Sequence, residues 1–171
     1  VIANGSIFTD KLSRAAGVPI PDPPEPPRER IQPAAGTILL VEDEAPVRAI
    51  ARRILARDGY TVIEASNGRE ALRCAERHAG EIDMVVTDMV MPEMGGRAFA
   101  EAFSVLHPST PVLFVSGYPD DDILRRGALA PGMAFLEKPF TPHGLLEAVR
   151  GMFVAAESRD GARAASGIVA E

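Results

Sequence analysis

Residues 37–57 read TILLVEDEAPVRAIARRILAR, and this stretch decides the fold. Thr37–Val41 is short and apolar throughout, as a strand covered on both faces must be. Three acidic residues follow, Glu42-Asp43-Glu44, and then Pro46, which suits a first helical turn. From there to Arg57 the pattern is helical, with Val47, Ile50, Ile54 and Leu55 on one face and arginines on the other. A fully covered strand feeding an amphipathic helix is one half of a βαβ unit. The same alternation recurs downstream. Strands are expected at Tyr60–Glu64 (YTVIE), Asp83–Thr87 (DMVVT), Pro111–Val115 (PVLFV) and Met133–Leu136 (MAFL). Helices are expected at 69–79, with Ala71, Leu72 and Ala75 inward, at 95–106, weakly at 120–130, and at 142–155 through Leu145, Leu146, Val149, Met152 and Phe153. Five such units give a doubly wound parallel α/β sheet with helices on both faces.

The flanks read differently. Residues 19–33, PIPDPPEPPRERIQP, hold too much proline for a helix or a central strand, so 19–36 is read as an extended linker. The stretch from 156 to 171 is small, polar and rich in Gly and Ala, and is read as a flexible tail. That leaves 37–155 as the folded domain. With 46% apolar residues the chain can bury a real core, and its formal charge of −6 argues against a nucleic-acid surface, which needs clustered Lys and Arg. No apolar run reaches the ~18 residues of a membrane span, and no secretory signal opens the chain, so a cytoplasmic location is expected. Cys74 is the only cysteine and is read as a small helix residue in a reducing compartment.

Doubly wound sheets place their sites beyond the carboxyl ends of the strands. At those ends stand Glu42, Asp43 and Glu44 (first strand), Asp88 (third), Ser116-Gly117 (fourth) and Lys138-Pro139 (fifth). Clustered carboxylates repel unless a cation lies between them. Hard oxygen ligands suit Mg²⁺, which also binds phosphate oxygens. A carboxylate beside such an ion can attack phosphorus, while a lysine and a hydroxyl compensate the phosphoryl charge. Taken singly, each piece also fits a solvated loop, a cap or a turn. Their occurrence at the matching ends of successive strands favours phosphoryl chemistry.

The segments ILLVEDE (38–44), VVTDMVMPEMGG (85–96), VLFVSGY (112–118) and FLEKPF (135–140) resemble the response-regulator receiver family of two-component signalling, in order and from about 37 to 155. The resemblance implies a flavodoxin-like (βα)₅ fold with strand order 2-1-3-4-5, an order for which a receiver protein is a standard example. It implies that Asp88 is the phosphoacceptor and that Glu42 and Asp43 are the acidic pair for Mg²⁺, Asp43 touching the ion directly. Val90 would lend the ion its backbone carbonyl. Ser116 would be the switch hydroxyl, Lys138 the lysine that pairs with the phosphoryl group, and Phe135 the aromatic switch. A cis bond is expected at Lys138-Pro139. Glu42 is longer than the Asp often found there, so its link to the metal is expected to run through water. Phe135 lacks a hydroxyl, so it can turn inward without losing a hydrogen bond.

The implied partner is a histidine kinase or a histidine phosphotransfer protein, with a weak homodimer left open and no nucleic-acid or membrane contact by this segment. Asn4–Arg14 (NGSIFTDKLSR) resembles the last strand of a histidine-kinase ATP-binding domain, although Ser13 stands where proline is usual. Residues 1–18 are therefore read as the end of such a domain or a disordered tail, and the chain as the C-terminal receiver of a hybrid sensor kinase. His78, His107 and His143 show no phosphodonor pattern. A receiver catalyses its own phosphorylation and dephosphorylation without being a turnover enzyme. Two rivals remain: a pseudo-receiver that never takes phosphate, and a Mg²⁺-dependent aspartyl-phosphate phosphatase or phosphotransferase. The haloacid dehalogenase-like form of the latter needs Asp-x-Asp, but Met89-Val90 follow Asp88.

Overall fold

Short runs rich in β-branched and aliphatic residues, each too short for a helix, form the strands. In the computed structural model, which describes residues 36–117 and 131–166, they are β1 (Thr37–Val41), β2 (Thr61–Ala65), β3 (Met84–Asp88), β4 (Val112–Ser116) and β5 (Met133–Glu137). The described helices are α1 (Ala45–Arg57), α2 (Gly68–Arg77), α3 (Gly96–Leu106) and α4 (Pro142–Ser166). All five strands are parallel, in the order β2-β1-β3-β4-β5, as expected. The expectations for 1–18, for the linker up to 35 and for a weak helix at 120–130 lie outside the described residues. Among the described residues, no helix is long and apolar enough to cross a membrane.

Period-two alternation sorts the strand residues onto two faces. Ile38, Leu40, Met84, Val86, Leu113 and Val115 pack with Ala51 and Leu55 of α1 and Leu145, Val149 and Met152 of α4. Leu39, Val41, Val85, Val112 and Phe114 pack with Ala71 of α2 and Phe99, Ala100 and Phe103 of α3. The result is a three-layer sandwich with a separate core on each side of the sheet. Phe99, Phe103 and Phe114 are fully buried, each contributing about 1.5–3 kcal/mol relative to exposure.

Three readings need correction. The strands β2 to β4 each start and end one residue later than the pattern suggested, which makes Asp88 and Ser116 the last residues of their strands. On α1 the buried stripe runs through Ala51 and Leu55, while Ile50 is 58% exposed. The small Ala51 lets the helix approach the sheet, and that turns Ile50 to the side. Third, α4 continues to Ser166 instead of ending at 155. Residues 155–165 contain five alanines, the strongest helix former, and no proline. The segment therefore holds helical form although it offers no large apolar side chain to a core.

Candidate functional site

The carboxyl edge of β1, β3, β4 and β5 brings the four groups of sequence candidates together. The β1–β2 ladder extends one step past β1, with the Glu42 N–H donating to the Ala65 carbonyl at 3.1 Å, and this leads Glu42 into the interior. Asp88 closes β3, and the next residue stays in register because the Met89 N–H donates to the Val115 carbonyl at 3.0 Å. Ser116 closes β4 and is buried. Its carbonyl accepts the Lys138 N–H at 2.8 Å, which pins the residue after β5 to the same edge. The Lys138-Pro139 bond is cis.

Lys138 Nζ lies 2.6 Å from Asp88 Oδ2 and 2.7 Å from Glu42 Oε2, so one ammonium bridges two largely buried carboxylates. Asp88 Oδ1 accepts the Val90 N–H at 3.1 Å, and Glu42 Oε1 accepts the Glu44 N–H at 3.4 Å. Both oxygens of each carboxylate are thereby directed. Burial pushes the Glu42 carboxyl above the usual carboxylate range, and the hydrogen bond and charge of Lys138 pull it back only in part. Burial alone would lower the Lys138 ammonium. Its hydrogen bonds to Asp88 and Glu42, together with their charges, outweigh that and leave it above its ordinary value. Lys138 is therefore fully charged at neutral pH.

Asp43 is half-exposed beside this pair. Glu42, Asp43 and Asp88 each offer a carboxylate oxygen within 4.8 Å of the others. Val90 sits at the mouth of the site with its side chain 62% exposed. Phe135 is partly buried, on the sheet face that also carries Phe114. By strand alternation Ser116 belongs to that face too. Six of the seven candidate residues thus stand at or next to the carboxyl edge of the sheet, while Phe135 lies in the middle of β5, paired with Phe114.

The sequence reading missed the residues that act through the main chain. Gly96 opens α3 where the helix meets the end of β3. A Cβ there would lie 2.1 Å from the Asp88 carbonyl oxygen, so no other residue fits without displacement. The buried Thr87 hydroxyl donates to that same carbonyl at 3.0 Å. Gly68 opens α2, and its N–H donates to the Met94 carbonyl at 3.0 Å, bracing the β3–α3 loop from the far side. Arg48, read as one of the arginines on the face opposite the apolar one, turns toward the Glu42-Asp43 loop and donates to its carbonyls. The available signal was position: Arg48 stands in the first turn of α1, directly after the acidic run.

Comparison with known proteins agrees with this geometry. Residues 38–150 match the family described as Response regulator receiver domain. The sensor kinase CckA of Brucella abortus (strain 2308) is 43% identical over 118 residues, which is 69% of this chain and 12% of that kinase. The chain spans between 12% and 54% of the length of the first curated relatives it matches. Among solved structures, the receiver domain of the hybrid histidine kinase CckA superposes with a TM-score of 0.59 at 38% identity, covering 69% of this chain and 99% of that domain. The response regulator protein TrrA of Thermotoga maritima, in complex with Mg²⁺-BeF, superposes with a TM-score of 0.58 at 26% identity, covering 68% and 98%. A parallel sheet in the order 2-1-3-4-5, a carboxylate and lysine cluster on its carboxyl edge and these matches lead to one assignment: the chain belongs to the response regulator receiver domain family of two-component signalling.

Proposed function

We propose that this domain accepts a phosphoryl group from a phosphohistidine onto Asp88, with Mg²⁺ held by Asp43, Asp88, the Val90 carbonyl and, through water, Glu42. The observation that carries this reading is the Lys138 ammonium within hydrogen-bond distance of Asp88, whose carboxylate also lies within 4.8 Å of oxygens of Glu42 and Asp43. The donor set fits the ion. Hard oxygens suit Mg²⁺, and Glu42, Asp43 and Asp88 each present a carboxylate oxygen within 4.8 Å of the others, so Asp43 and Asp88 would be placed to share one ion. When bound, Mg²⁺ would offset the charge on the phosphoryl oxygens beside the attacking carboxylate.

The protein's own groups account for the rest. An Asp88 oxygen forms the new O–P bond as the P–N bond to the donor imidazole breaks, and the electron pair leaves with the imidazole nitrogen. The acyl phosphate brings negative charge to where Lys138 already points, so the ammonium follows the phosphoryl oxygens with little rearrangement. Ser116, buried at the adjacent strand end, supplies a hydroxyl that moves toward those oxygens, and Phe135 on the same face takes up the space behind it. Positioning and charge compensation are most of what phosphoryl transfer requires.

The phosphodonor has an approach route. A groove of about 440 Å³ opens beside Lys138, lined by Val47, Ile50, Pro139 and Phe140. The exposed Ile50 then has a use: it offers an apolar contact to a helical histidine kinase or phosphotransfer protein whose phosphohistidine reaches the site over the same edge. The similarity to CckA, a hybrid kinase, supports reading this domain as the receiver of such a kinase. The direct test is incubation with acetyl phosphate and Mg²⁺ followed by intact mass measurement. The wild-type protein should gain one phosphoryl group and Asp88→Asn none. Stoichiometric, persistent labelling of the Asn variant would refute the assignment. Absence of Mg²⁺-dependent beryllofluoride binding by the wild type would favour an interaction module that takes no phosphate.

A further inference from the structure

Two cations flank the Glu42-Asp43 loop, and only one of them belongs to the reaction. Lys138 meets the carboxylate side. On the backbone side stands Arg48, largely buried, whose Nη1 donates to the Glu42 carbonyl at 2.5 Å and lies 3.3 Å from the Asp43 carbonyl. Its Nε lies 3.8 Å from Glu64 Oε2, and Arg52 Nε holds the other Glu64 oxygen at 2.9 Å. The Glu42 and Asp43 carbonyls belong to the two peptide planes that flank the Asp43 Cα. Holding both planes sets φ and ψ of Asp43, and so the direction in which its Cβ leaves the chain. The Asp43 carboxylate makes no hydrogen bond or ion pair with a described residue. Its aim toward Asp88 is inherited from its backbone.

We propose that Arg48 is a positioning residue for the cation site: by tying the Glu42 and Asp43 carbonyls to the first turn of α1, it aims the Asp43 carboxylate at the place where Mg²⁺ binds. This rests on reading the site as a Mg²⁺-dependent phosphoacceptor. The sign of the effect separates positioning from simple electrostatics. Arg48 is a cation close to a cation site, so removing its charge alone should tighten Mg²⁺ binding. Loss of positioning should weaken it, by about tenfold for a group that orients a metal ligand.

The experiment is a Mg²⁺ titration of the whole chain, followed through the backbone amide shifts of residues 42–44 and 88–90, for wild type, Arg48→Met, Arg48→Lys and Arg52→Ala. Arg48→Met keeps an apolar stem but no donor and should bind Mg²⁺ about tenfold more weakly. Arg48→Lys restores a donor within reach of the carbonyls and should recover part of the loss. Arg52→Ala, which touches Glu64 but neither carbonyl, should stay within about twofold of wild type, well under the change expected for a lost orienting contact. With acetyl phosphate, the Mg²⁺ concentration for half-maximal labelling of Arg48→Met should rise by the same factor, while the rate at saturating Mg²⁺ changes little. Equal or tighter binding by Arg48→Met would overturn the proposal. So would identical losses in the Met and Lys variants, or a loss in Arg52→Ala matching that of Arg48→Met. If the wild type itself fails to bind Mg²⁺ at these residues, the phosphoacceptor reading falls first.

Discussion

Replacing Gly96 by alanine should damage this domain more than its chemistry suggests. Glycine to alanine at a helix position normally stabilises by about 0.4–1 kcal/mol, because the unfolded chain loses freedom. At Gly96 the added Cβ would sit 2.1 Å from the Asp88 carbonyl oxygen and 3.0 Å from both the Asp88 carbonyl carbon and Thr87 Oγ1. That is more than 1 Å inside the 3.4 Å at which ordinary contact begins, and the obstacle is main chain, which cannot swing away. Forced overpacking of this kind costs about 1–3 kcal/mol. Moving α3 away also gives up the bond from the Gly96 N–H to the Met89 carbonyl, 3.0 Å long, worth about 1 kcal/mol. After the entropic gain is subtracted, Gly96→Ala should lose about 2–3 kcal/mol in urea unfolding followed by circular dichroism. That corresponds to roughly 10 °C in Tm for a domain of this size. Phosphoryl uptake should fall as well, because the displaced loop carries the Val90 N–H that directs Asp88. Gly151→Ala is the internal control. It lies in the middle of α4 with nothing within 4 Å of its added Cβ, and should stabilise by about 0.5–1 kcal/mol. A Gly96→Ala variant as stable as wild type would refute the close-approach argument, whatever its activity.

Two further outcomes follow from the charges. Lys138→Met leaves Glu42 and Asp88 facing each other without their counter-ion and should lose about 2–3 kcal/mol, less than for a fully buried pair because the lysine is 18% exposed. Asp88→Asn relieves the same repulsion and should be neutral or stabilising, so equal destabilisation by both in denaturant titrations would contradict the electrostatic account. At the start of α2, Asn67 Oδ1 accepts the Glu70 N–H, and the Ser66 hydroxyl and N–H both donate to the Glu70 carboxylate, holding it below its usual value of 4.5. A group lowered in the folded state stabilises above its unfolded value and loses that contribution as pH falls through its folded one. Glu70→Ala should therefore destabilise modestly at pH 7, because the carboxylate is largely solvent-exposed, and the gap to wild type should close at pH values below 4.5 in urea titrations.

Much of this was legible from the letters, and what was not has a physical reason. Parallel strands buried on both faces must be apolar runs, so β1, β3 and β4 were found within a residue, and the less buried edge strands β2 and β5 were found by their place among the helical patterns. Their last residue was not, because a ladder ends where its hydrogen bonds end, and the backbone has no letter of its own. Asp88, Ser116 and Lys138 announced themselves because charged or hydroxyl groups ended apolar runs. Arg48 did not: its partners are carbonyls, and on a helical wheel it is one more arginine on a polar face. Gly96 and Gly68 were hidden for the same reason, since what they approach is main chain. Ile50 was misplaced because periodicity alone gives a broad stripe, and the small Ala51 shifted its centre. The end of α4 was missed because alanine extends a helix without marking a buried face.

That last helix has a mechanical meaning. At about 1.5 Å per residue, the 25 residues from Pro142 to Ser166 make a rod about 37 Å long. Leu145, Val149 and Met152 seat its first half on the sheet. The remainder runs on past those anchors like the stem of a key. Anything joined in continuous helix beyond it would be placed by angle as much as by distance. Each inserted residue would turn the attachment by about 100°, and three or four together would bring it back to nearly the same side. In such a joint the register of the connection, rather than its length, sets which surface of a following module faces the carboxyl edge of the sheet.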